Sequence, residues 1–216
     1  MTTSSIDTVA GIDVPDSALA REATEFIRDT EDELLFNHSR RVFFFGALQG
    51  QRRGLKPDAE LLYVGAMFHD LGLTERYRDS QVRFEVDGAD AARDFLTARG
   101  VDEADAAKVW LGIALHTTPG VPDFLAPEVA LLQAGVEVDV VGVGREQLAP
   151  EALAAVTAAH PRPQFKQRIL AAFNDGMKHR PRTTDGTMNA DVLAHFEPTF
   201  ERVDFVDKIL HNSWPD

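Results

Sequence analysis

The stretch ELLYVGAMFHDLGL, residues 60–73, decides how this chain is read. Leu61, Leu62, Val64, Ala66, Met67 and Phe68 run up to a histidine followed at once by an aspartate, and Gly72 closes the segment. Lys56-Pro57-Asp58 ahead of it has the composition of a helix start. The run therefore reads as a buried helix that carries His69-Asp70 at its end. One imidazole nitrogen and one carboxylate oxygen side by side can hold a divalent cation only with help from elsewhere in the chain.

That help is sought first upstream. EDELLFNHSRRVFFFGALQGQRRG, 31–54, reads as a long helix stopped by Gly54, with Leu34, Leu35, Val42 and Phe45 at three- and four-residue intervals. His38 falls in that apolar stripe. Phe43, Phe44 and Phe45 cannot share one face, and core packing is their default role. Downstream, RFEVDGADAARDFLTARG (83–100) reads as a helix ending at Gly100, and DEADAAKVWLGIALHTT (102–118) as another stopped by Pro119-Gly120. APEVALLQAGVEVDVVGVG (126–144) fits a buried helix or a strand by periodicity; its length and Pro-Glu start favour a helix. A helix from Ser17 to Arg28, capped by Asp16 or Ser17, and helical segments near 150–159, 163–178, 188–197 and 203–211 complete the pass. Residues 1–15 read as a polar, loosely held tail, and 16–216 as a single domain. The fold class expected is all-α, a helical bundle with short connections.

Composition narrows the function. The chain has 216 residues, 44% hydrophobic and 26% charged, which describes a globular protein with a substantial core. A formal net charge of −13 repels phosphate backbones and argues against nucleic-acid partners. There are no cysteines, so disulfides, thiolate metal sites and cysteine nucleophiles are excluded. Any metal must be held by imidazole and carboxylate. The N-terminus lacks a signal-peptide pattern, and no stretch approaches the roughly 20 apolar residues of a membrane span. These features disfavour bulky polyanionic substrates and point to the cytoplasm and no membrane partner, with homo-oligomerisation left open.

Asp139 stands among Val136, Val138, Val140 and Val141. A carboxylate buried there needs a cation, an arginine or several donors. Three helices presenting His38, His69-Asp70 and Asp139 at one level could form a cage for a divalent ion with coordination positions left for water. The bland alternative is a His–Asp hydrogen-bond network without metal.

At this point the chain resembles the HD-domain metal-dependent hydrolase superfamily, whose signature H…HD…D matches His38, His69, Asp70 and Asp139 within residues 30–145. HSRRVFFFG (38–46), HDLGL (69–73), RFEVDGADAARDF (83–95) and IALHTTPG (113–120) further resemble its cyanamide hydratase group. The resemblance implies an HD-domain helical bundle with the four matched residues as metal ligands. It also implies one divalent ion, zinc first and iron as the alternative, and hydration of a nitrile-type carbon, cyanamide to urea. Many phosphohydrolases of the superfamily resemble H-D-x-x-E or H-D-x-x-K, and Leu73 departs from that pattern. Arg40, Arg41, Arg76 and Arg83 remain as sources of charge for a phosphate. His116 is the one histidine between the HD pair and Asp139, which favours one metal over two.

The other candidates follow. Asp70, beyond ligation, is a proton acceptor; His116 is either a helix-end histidine or a proton donor. Glu85, in an acidic helix start, is a candidate general base. Phe84 and Thr117 are candidate substrate contacts. KHRPR (178–182) reads as a solvated basic loop, and the role of residues 150–216 is not legible. The rivals to the hydratase are a phosphohydrolase of a nucleotide or small phosphate ester and a non-catalytic metal-stabilised sensor or binding module.

Overall fold

The computed structural model describes residues 7–214. Its helices follow the expected order, and each boundary has a local cause. Helix α1 (Ala18–Thr30) is capped by the Ser17 hydroxyl, and α2 (Glu33–Arg53) by the Asp32 carboxylate, each accepting from a backbone N–H of the first turn. Helix α3 (Ala59–Phe68) is capped by Asp58 in the same way. There follow α4 (Phe84–Thr97), α5 (Glu103–Leu115), α6 (Pro127–Val140), α7 (Pro150–Ala159), α8 (Phe165–Met177), α9 (Asn189–Phe196) and α10 (Phe205–Leu210). The stretch 126–144, open to either reading, is helical: proline sits in its first turn, and the backbone of Gly135 lies against that of α2.

Helix α2 is the axis of the bundle. It packs on α6 along most of its length and also on α1, α3, α7 and α8. Enclosed on every side, it buries Phe43, Phe44 and Phe45 together with His38, Ser39, Arg40 and Arg41. Phe43 packs edge-on to Tyr63, and Phe44 stacks on His160. Helices α3 to α6 complete the main core, and α8 and α9 add a second apolar cluster around Leu35, Leu73, Phe84, Phe165 and Ile169.

Two expectations are corrected. Of the expected tail over residues 1–15, residues 1–6 lie outside the described residues, and 7–15 are built into the fold. There Thr8–Val9 and Ile12–Asp13 pair as a short antiparallel hairpin, with Ile12 buried and Asp7 held by Arg40. Two-residue strands carry too little alternation to be seen in a sequence. The basic loop is not solvated at its centre: Arg180 is 2% exposed and reaches four acceptors, described below. Helix α10, by contrast, is exposed along its whole length. Among the described residues no helix is long and apolar enough to cross a membrane.

Candidate metal centre

Helix α3 stops one residue before the HD pair. His69 keeps helical backbone angles (φ −61, ψ −34), but Asp70 moves to φ −103, ψ 4, and a 3-10 turn over Leu71–Leu73 follows. Neighbouring side chains on a regular helix diverge around its axis, so this break is what lets His69 and Asp70 face the same space. The turn is seated on α4 by Gly72, where an added Cβ would lie 2.1 Å from the Phe84 carbonyl oxygen.

From the second turn of α2, His38 faces the same point. His38 Nε2 lies 3.2 Å from His69 Nε2 and 3.5 Å from Asp70 Oδ2, and His69 Nε2 lies 3.4 Å from that oxygen. His69 Nδ1 is within 2.7 Å of the Ala66 carbonyl and donates to it, so His69 Nε2 carries a lone pair. His38 Nδ1 is 2.7 Å from Asp139 Oδ2, which fixes the same tautomer there. Two lone pairs and a carboxylate thus converge with no donor between them. Both Asp70 oxygens are buried without a hydrogen-bond partner.

That arrangement is unfavourable unless a cation fills it. The distances suit one: zinc bonds of about 2.0–2.1 Å in tetrahedral array set ligand atoms roughly 3.4 Å apart. His38, His69 and Asp70 together form a cluster able to hold a metal ion. The electrostatics agree in direction. Burial lowers the His38 pKa, although Asp139 opposes that, and keeps its ring neutral at neutral pH.

Asp139 is brought to His38 but not to the converging atoms. It lies behind the His38 ring, where Arg41 Nη2 donates to Oδ2 at 2.8 Å and Arg41 Nε to Oδ1 at 2.9 Å. Arg162 Nε faces Oδ1 at 2.9 Å. Burial pushes the Asp139 carboxyl up, but His38 and then Arg41 outweigh it and hold the group below its ordinary pKa.

His116 closes the other side. Its Nδ1–H donates to the Ile113 carbonyl at 2.6 Å, and its Nε2 stands 3.6 Å from Asp70 Oδ1. Phe84 packs edge-on against the His116 ring at 5.6 Å. Glu85, fully buried, has Oε1 engaged by Arg83, Thr117 and Asn189 and Oε2 by Arg83 Nε, so its lone pairs are largely taken. Thr117 is thereby tied to Glu85.

Four partners were missed in the sequence. Arg41 and Arg162 grip Asp139, Asn189 reaches Glu85 from α9, and Phe165 covers His38 at 5.4 Å. Arg41 alone gave a signal, as a charge three residues from His38 on an apolar helix. Arg162, Phe165 and Asn189 belong to the third of the chain that no motif reaches.

A helical bundle that aims two imidazoles and a carboxylate at one buried point has the architecture of the HD-type metal-dependent hydrolases. The HD domain family matches residues 35–163, well over half of the chain, and the chain belongs to that family. A search of curated proteins gave no match.

Proposed function

We propose that this protein is a metal-dependent enzyme that adds water to a small uncharged electrophile of nitrile type, with cyanamide to urea as the specific reaction. The observation that carries this reading is Asp70: a fully buried carboxylate, both oxygens unpartnered, facing the Nε2 atoms of His38, His69 and His116. His38, His69 and Asp70 would hold the ion, zinc in preference to iron. Such an ion lowers the pKa of water from 15.7 to about 7 and polarises an electrophile.

The chain's own groups supply the rest. Asp70 Oδ1 and His116 Nε2 face each other beside the ligand atoms, a pair able to take a proton from water and deliver it to the nitrile nitrogen as oxygen adds to the carbon. Phe84 and Phe165 wall the space with aromatic carbon, which favours a small neutral substrate. Glu85 fixes Thr117 and Asn189 rather than acting as the base.

The walls disfavour a phosphate. Leu73 is buried against α8, where a Cβ on Gly176 would lie 2.7 Å from Leu73 Cδ2. Arg40 is bound to Asp7 and Tyr63, Arg41 to Asp139, and Arg83 to Glu85 and Thr117, while Arg76 lies over the rings of Phe26 and Tyr77.

The test is metal content by elemental analysis, run with urea release from cyanamide, for the wild type and Asp70→Asn. The reading expects about one metal per chain and urea in the wild type, and loss of both in the variant. Metal with turnover of phosphate esters and none of cyanamide would move the protein to the phosphohydrolases. Metal-dependent melting with no turnover would make it a binding module.

A further inference from the structure

We infer that Asp139 is not a ligand of the metal in this chain but the outer carboxylate that orients His38, leaving a three-ligand centre of His38, His69 and Asp70. The inference rests on the metal-enzyme reading above for the presence of an ion, and on independent geometry for the place of Asp139.

The two nitrogens of one imidazole diverge across the ring, so an atom bonded to Nδ1 lies away from whatever Nε2 binds. Asp139 Oδ2 sits 2.7 Å from His38 Nδ1, while His38 Nε2 points to His69 and Asp70. A carboxylate offers about four lone-pair positions. Here Arg41 Nε donates to both oxygens, Arg41 Nη2 and His38 Nδ1–H donate to Oδ2, and the charge of Arg162 stands 2.9 Å from Oδ1. No position is left for an ion.

Charge makes the same choice. A cation bound at Asp139 would stand against two guanidinium groups, whereas Asp70 has no donor at either oxygen. The Asp139–His38–metal arrangement is the outer-carboxylate pattern that fixes a histidine's tautomer and raises its basicity. Its far end is anchored as well. Arg41 Nη1 donates to the carbonyls of His160 and Pro161 at 3.2 and 3.1 Å, and Arg162 Nη2 donates to the Asp139 carbonyl. The turn between α7 and α8 is thereby part of what aims His38. Three protein ligands leave open positions for water and substrate, as catalytic sites require.

The experiment compares wild type, Asp139→Asn and Asp70→Asn loaded with Co²⁺, reading stoichiometry, affinity and the visible d–d bands. Asp139→Asn is expected to bind one Co²⁺ with the wild-type band positions and intensities, and roughly 10- to 100-fold more weakly. Asp70→Asn should lose the bands. Collapse or reshaping of the bands in a folded Asp139→Asn protein makes Asp139 a ligand and overturns the inference.

Because the amide leaves two arginines without their counter-charge, a second measurement uses the unmodified chain. In zinc-loaded wild type the His38 Nδ1–H should give a far-downfield proton resonance, assigned by its loss in His38→Gln. Its absence from the loaded wild type also overturns the inference. A wild type that binds neither Co²⁺ nor zinc fails the metal-enzyme reading itself, and the three-ligand centre with it.

Discussion

The His160 ring stacks on Phe44 at 5.5 Å with its Nε2 buried and unpartnered. Burial, then the charge of Arg40, with a further contribution from Arg41 and only Asp7 opposing, pushes its pKa down to about 4. An unfolded histidine titrates near 6.5. Between those values the unfolded chain holds a proton that the folded chain refuses, so stability rises with pH across this window. The contribution is complete above about pH 6.5 and is lost as pH falls towards 4. His160→Phe keeps the stack and removes the titration. Urea unfolding at pH 7, 6 and 5 should show wild-type stability falling more steeply than that of the variant, and parallel slopes would reject the assignment.

Residues such as this one divide what a sequence can show. His38 and His69-Asp70 were legible because a motif names them. That Asp139 needed partners followed from its place among valines. Which partners it takes did not, because Arg162 comes to it from a turn 23 residues away. A charge in an apolar run announces a debt of solvation but not who settles it.

At the scale of elements, capping residues and Pro-Glu starts located the helices to within a few residues, and fully buried helices gave the weakest signals. Helix α6 is apolar nearly all round, so neither helical nor strand periodicity stood out. Its contact with α2 shows why glycine occurs there. A Cβ at Gly135 would lie 2.2 Å from the Val42 carbonyl oxygen and 3.0 Å from the Gly46 amide nitrogen. Both are backbone atoms, so a methyl group can be admitted only by moving one helix off the other. Gly135→Ala is expected to cost about 1–3 kcal/mol or more in urea unfolding. Because Asp139 lies one helical turn further along α6 and holds His38 on α2, the same shift should weaken Co²⁺ binding. Wild-type stability and affinity in this variant would mean that the two helices tolerate separation.

Across the whole molecule, the organisation least visible in the sequence is the covering of the metal centre by the C-terminal third. The quoted motifs end by residue 145 and the family match at residue 163, and a basic loop ordinarily lies in water. Here Arg180 is the joint. Its Nη1 reaches Asp87 on α4 and the Val82 carbonyl at 2.9 Å, its Nη2 the Gly72 carbonyl in the turn after the HD pair, and its Nε the Gly176 carbonyl at 3.1 Å. One guanidinium therefore ties α8 to both the HD turn and α4. Leu73 against Gly176, Phe165 over His38 and Asn189 on Glu85 complete the closure. Removing the charge leaves Asp87 with Ser80 alone and no counter-charge, and several carbonyls without this donor, so Arg180→Met should destabilise the protein by about 3–5 kcal/mol. Loss of this joint also predicts where the structure opens. Hydrogen exchange should accelerate most in residues 165–196, with α2 and α3 protected until global unfolding. An equal acceleration throughout the bundle would show that Arg180 contributes only to overall stability, and that α8 and α9 do not open as a unit over His69 and Asp70.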